Sequence, residues 1–106
     1  VAEALSLAEK FGVMPDTFID VLNHSSGKNN STENKFAQFI LSEKFNSGFR
    51  MDLMNKDILT ALNLANALNV DFSLSKTSGD KWKRAESELE LGCDHTEIAG
   101  WQRDLS

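Results

Sequence analysis

Residues 51–68, MDLMNKDILTALNLANAL, carry an apolar pattern of helical period. On a wheel of about 100° per residue, Met51, Met54, Ile58, Leu62 and Ala65 fall within about 40° of one line. Leu53, Leu64 and Leu68 widen that apolar stripe on one side, and Leu59 widens it on the other. A helix this apolar is expected to be buried, so other helices must cover it. Helix signals before and after it supply the cover. Ala4, Leu5, Ala8 and Phe11 lie at helical spacing, and Gly12 follows as a stop. Pro15 suits the first turn of a second helix, PDTFIDVLN, whose Asp16 lies near its positive end. HSSGKNNS (24–31) reads as a loop. Asn30 with Glu33 then reads as a capping box for a third helix, STENKFAQFIL.

Beyond the central helix, Asn69 is placed to close it in the left-handed conformation. VDFSLS (70–75) alternates like a strand, but nothing offers it a partner, so an extended connector is expected. A helix over about 75–91 packs through Trp82, Ala85 and Leu89, with Gly79 weakening its first turns and Gly92 stopping it. Asp94 with Glu97 reads as a capping box for a last short helix carrying Ile98 and Trp101. The expected fold is all-α, a compact bundle of about six helices. The length of 106 residues fits a single domain.

Composition excludes several classes. The net charge of −5 disfavours a nucleic-acid partner, and the one basic cluster, KWKR (81–84), runs into acidic ESELE and reads as a solvated helix face. No apolar run approaches the roughly 20 residues that cross a bilayer, so no membrane partner is expected. The single cysteine, Cys93, allows no internal disulfide and points to a reducing, cytoplasmic setting. Cys93, Asp94, His95 and His24 are too few and too poorly spaced for a zinc site, so no metal is expected. Cys93 has no evident base and reads as an inert thiol. No phosphate-cradling glycine motif is present. The chain opens on Val1 inside a helical pattern with no capping residue ahead of it, which suits a piece of something longer, although processing would explain it too.

The wheel also raises a question of charge. Lys56 points nearly opposite the core line, whereas Asp57 lies about 100° from it, among Leu53, Leu64 and Leu68. An ionised carboxylate there is costly unless it is paired. Periodicity alone allows Lys56 to be a solvated lysine with Asp57 a buried structural carboxylate, or the polar strip to face a cleft with Lys56 meeting an anionic or polar ligand.

The stretches AEALSLAEKFGVMPDTFIDVLNHSSGKNN and FNSGFRMDLMNKDILTALNLANALNV resemble the C-terminal domain of the β-hydroxyacid dehydrogenases. That family includes 3-hydroxyisobutyrate dehydrogenase and tartronate semialdehyde reductase, with 6-phosphogluconate dehydrogenase a more distant relative. The resemblance implies an all-α domain of the 6-phosphogluconate dehydrogenase-like type, over residues 1–106, that completes a cleft with an N-terminal Rossmann domain absent from this chain. It implies NAD or NADP as the cofactor of the full-length protein, which this chain alone would not bind tightly. It further implies hydride transfer to or from a short β-hydroxy acid or its semialdehyde, and a homo-oligomer. The family's catalytic lysine lies upstream of Val1, so no catalytic residue is expected here and the chain alone is expected to be inactive. Lys56 matches the lysine that reaches the cofactor, while Asp57 and Phe49 match residues at the closed cleft. SSG (25–27) is expected to border that cleft. Lys28 and Asn29 stand where the family often has an arginine or a bulky aromatic, which leaves the substrate open. The competing reading is a stand-alone all-α dimerisation or interaction module without catalysis.

Overall fold

A computed structural model describes residues 1–105, and every regular element in it is helical. The order is α1 Ala2–Phe11, α2 Pro15–Asn23, α3 Asn30–Asn34, a π-helical turn Phe36–Ile40, α4 Met51–Ala67, α5 Ser73–Glu88 and α6 Glu97–Asp104. The expected all-α architecture is therefore found. No strand occurs among the described residues, only an isolated antiparallel bridge between Arg50 and Asp94. The chain divides into two compact units. One comprises Val1–Ser47 with residues 96–105, and the other comprises Gly48–His95.

The first unit is built on large side chains. Leu5 of α1, Ile19 of α2, Phe36 and Ile40 of the π turn and Ala99 of α6 form its buried cluster, edged by Ala2, Phe18, Leu22, Leu41 and Phe45. Arg103 of α6 reaches Glu9 of α1 with two hydrogen bonds of 3.2 and 3.3 Å. The third helix departs from expectation. Asn29, not Asn30, is the cap: its side chain accepts from the Thr32 amide at 3.1 Å, and the Thr32 hydroxyl accepts from the Asn29 amide at 3.0 Å. A threonine at the third helical position thus does what Glu33 was expected to do. The helix then widens rather than continuing. The Ile40 amide reaches back to the Lys35 carbonyl and the Leu41 amide to the Phe36 carbonyl, five-residue spacings that place Phe36 and Ile40 together in the core.

The second unit is a pair of helices. The core stripe of α4 is as read: Met51 and Ala65 are buried, and Met54, Ile58 and Leu62 are half-buried. Asn69 takes the left-handed position after α4, with φ 55°. The connector spans only residues 70–72, because α5 begins at Ser73 and so takes up half of the strand-like run. Ala85 is fully buried. Gly79 is buried too, for a reason the sequence did not disclose. A Cβ on it would lie 3.0 Å from Leu62 Cδ1 and 3.1 Å from Ile58 Cγ2, so it lets α5 approach α4 closely. Asn55 of α4 donates to the Glu86 carboxylate at 2.6 Å and to the Trp82 carbonyl at 3.3 Å, which fixes the register of the pair.

The expectation that α4 is apolar and buried almost all round does not hold. Leu53, Leu59, Leu64 and Leu68 are exposed, and so is Asp57. Within its unit α4 packs on one helix, and one partner covers one stripe. The carboxylate of Asp57 therefore meets water and needs no buried partner.

Candidate functional site

The three residues singled out from sequence all lie on the second unit. Phe49 sits two residues ahead of α4 and is half-buried. Lys56 lies about 8 Å further along the helix from Met51, at 1.5 Å per residue. Lys56 and Asp57 are both exposed, and neither side chain has a hydrogen-bond or ion-pair partner among the described residues. The nearby charges behave differently: Arg50 and Asp52 form a two-pronged pair at 2.9 and 3.0 Å. Hydrogen bonding to Arg50, with a smaller contribution from its charge, holds the Asp52 carboxyl below its ordinary range. Asp52 in turn raises the Arg50 guanidinium. Lys56 is thus an exposed lysine on α4, not neutralised by its neighbours. That is the chemistry required to hold an anionic or polar group of a ligand.

Phe49 is held by residues far along the chain. Its amide donates to Asp94 Oδ1 at 3.2 Å, and the Gly48 amide donates to the same oxygen at 3.0 Å. Its carbonyl accepts from the His95 amide at 2.8 Å and from His95 Nδ1 at 3.0 Å. Its ring meets the His95 ring edge-on, with centroids 5.6 Å apart. Asp94 therefore does not cap α6 as expected. Thr96 is the residue before α6, and no side-chain cap is made there. The D-x-x-E pattern at 94–97 is a local signal, whereas Asp94 also accepts from amides 45 and 46 positions away. No signal in the sequence pointed to this long-range use.

On the first unit, the loop before α3 serves its own geometry. Asn29 is committed to the helix cap, the Ser25 hydroxyl donates to the Leu22 carbonyl at 3.1 Å, and exposed Lys28 pairs with Glu33 at 3.3 Å. A shallow recess lined by Ser6, Glu9, Lys10 and Arg103 presents a guanidinium already engaged by Glu9. Among the described residues, no group of three or more His, Cys, Asp or Glu could hold a metal ion, and no helix is long and apolar enough to cross a membrane.

Comparison with known proteins gives this geometry a context. The family model described as NAD-binding of NADP-dependent 3-hydroxyisobutyrate dehydrogenase matches residues 1–101. The chain is 39% identical, over 75 residues, to 2-(hydroxymethyl)glutarate dehydrogenase of Eubacterium barkeri, an alignment that spans 71% of this chain and 25% of that protein. It superposes on the crystal structure of 3-hydroxyisobutyrate dehydrogenase from Salmonella typhimurium with a TM-score of 0.83 over 94% of this chain and 35% of that one. At 23% identity, that likeness speaks for the fold alone. The matched segment thus corresponds to a quarter to a third of each relative's length, in its helical part. A family model matching nearly end to end, over a fold that also agrees, leads to one conclusion: the chain belongs to the NAD-binding family of the NADP-dependent 3-hydroxyisobutyrate dehydrogenases.

Proposed function

We propose that this chain is the helical C-terminal domain of an NAD(P)-dependent oxidoreductase that moves a hydride between the nicotinamide and a short β-hydroxy acid or its semialdehyde. The observation that carries the reading is the exposed, unpaired ammonium of Lys56 on α4, in a chain whose family is described as NAD-binding. Lys56 would hold the cofactor through an anionic or polar group, while Asp57 and Phe49 line the substrate side. A bound nicotinamide carries the hydride chemistry itself. This domain orients the reactants and keeps water away from them. The general acid is a lysine upstream of Val1, and the dinucleotide fold is likewise supplied by the rest of the protein. With one cysteine the chain can form no internal disulfide, which fits a cytoplasmic enzyme.

The exposed leucines of α4 favour a second reading, an association module without catalysis. The coding sequence upstream of Val1 separates the two. A G-x-G-x-x-G after a strand, followed by a lysine about one helix before Ala2, supports the dehydrogenase, and its absence supports the module. In the complete enzyme, Lys56→Ala should then weaken cofactor affinity roughly tenfold to a hundredfold, the worth of one charged hydrogen bond. Normal cofactor affinity in Lys56→Ala, together with a large fall in melting temperature, would make Lys56 a structural lysine and remove it from the site.

A further inference from the structure

We propose that Asp94 and His95 are positioning residues of the dehydrogenase: they hold Phe49, and the entry to α4 that carries Lys56, in working orientation. This inference rests on the functional reading above.

The restraints converge on one residue. Both backbone polar groups of Phe49 are taken by the 94–95 segment, the amide by Asp94 and the carbonyl twice by His95. The ring is met edge-on by the His95 ring, at an interplanar angle of 75°. A carbonyl only accepts, so Nδ1 of His95 carries the proton, and the Asp94 Oδ2 atom lies 3.6 Å from the same nitrogen. Two residues later the Met51 amide, the first of α4, donates to the Cys93 carbonyl at 2.9 Å. Gly48 makes this geometry possible: its φ of 92° turns its own amide and that of Phe49 toward a single carboxylate oxygen.

The helix start alone does not require this arrangement. Arg50 precedes α4 without a side-chain cap, and the first-turn acid Asp52 is occupied by Arg50. The Asp94 side chain is only 9% exposed and that of His95 13%. Withdrawing a carboxylate from water is costly, and the cost is offset by the amides it orders. That outlay is concentrated on a residue whose ring lines the proposed substrate side, and on the helix turn leading to Lys56.

The test uses the complete dehydrogenase chain, with Asp94→Ala, Asp94→Asn, His95→Phe, Phe49→Ala and the Asp94→Ala/Phe49→Ala double variant. Hydrogen exchange of the peptide spanning 48–51 should speed up about tenfold or more in Asp94→Ala. Asp94→Asn should recover much of the protection, because its amide oxygen still accepts. KM for the hydroxy acid should rise about tenfold in Asp94→Ala, with partial rescue in Asp94→Asn. In the Phe49→Ala background the same change should add little, because Asp94 acts through Phe49. If Asp94→Ala does not fold, Asp94→Asn and His95→Phe carry the test, the latter keeping the ring contact while losing the Nδ1 donor. Unchanged exchange at 48–51 overturns the clamp. Faster exchange with unchanged KM, or an effect that adds in full to Phe49→Ala, overturns the positioning role and leaves the dehydrogenase reading standing. A parent chain that turns over no hydroxy acid defeats the dehydrogenase reading and this role with it, whatever the exchange shows.

Discussion

The two units hold themselves together by opposite means. In the first, large side chains are hidden: Leu5, Ile19, Phe36, Ile40 and Trp101 are each at most 6% exposed. In the second, α5 comes close to α4 at Gly79, and Ala85 and Met51 are fully buried, Met51 being the one large side chain among them. Leu53, Leu59, Leu64 and Leu68 are left outside. The first unit is held by side-chain mass, and the second by close helix approach and hydrogen-bonded ties. The contrast bears on the proposed function, because the lightly packed unit carries Phe49, Lys56 and Asp57, the residues proposed for its cleft. A two-helix unit with one packed stripe leaves most of its circumference available for ligands or partners.

The largest expected effect tests the first half of this contrast. Phe36→Ala removes an aromatic from the centre of the buried cluster and should cost about 3–5 kcal/mol in chemical denaturation. A loss below about 1 kcal/mol would mean that the cluster collapses around the gap and that mass is not what holds this unit. Next comes the seam. Gly79→Val drives a branched side chain against Ile58 and Leu62 and should lower stability by about 1–3 kcal/mol. Gly79→Ala should fall close to the parent, because a gain of roughly 1 kcal/mol in helix propensity opposes the tighter contact. A strong rise in melting temperature for either variant would show that α5 has room to retreat from α4.

Smaller still is Leu64→Gln, at a side chain 59% exposed, which should shift stability by no more than about 0.5 kcal/mol in this chain. A loss of several kcal/mol would place Leu64 in a buried interface in solution. The smallest effect belongs to the exposed pair of Arg50 and Asp52. Because the folded Asp52 carboxyl is held low by Arg50, its contribution is present above the unfolded carboxyl's value. It is lost as pH falls through the folded value. Melting temperatures of the parent and Asp52→Asn should therefore differ slightly near neutrality and converge in acid, and salt should shrink the difference.

Sequence reading went furthest where one helix decides the outcome. The bounds of α1, α2 and α4 follow from apolar spacing, Gly12, Pro15 and Asn69, each acting on its own neighbours. The outward direction of Lys56 was legible for the same reason, since a wheel gives the angle between a side chain and the core stripe. The wheel failed for Asp57 because it cannot say how many partners a helix has. The third helix failed on a choice between two adjacent asparagines, and on a π turn whose wide hydrogen bonds have no signature in residue type. Asp94 was missed for the deepest reason. Its local pattern was complete and plausible, and the amides of Gly48 and Phe49, from which it accepts, lie at the other end of the unit.

That last tie has a topological consequence. The Arg50–Asp94 bridge and the bonds around it bring the first and last residues of the Gly48–His95 unit side by side. The chain enters and leaves this unit at one doorway. A closed insert of this kind keeps its register whatever the hairpin between α4 and α5 does, since lengthening residues 70–72 adds only slowly to the entropy of closure. It is also a transferable unit. Joined ends are what allow a segment to be exchanged between related chains, or opened at a new point, without stretching the backbone on either side. A cassette cut at residues 48 and 95 would therefore carry the proposed site residues Phe49, Lys56 and Asp57 together, with the clasp that holds Phe49.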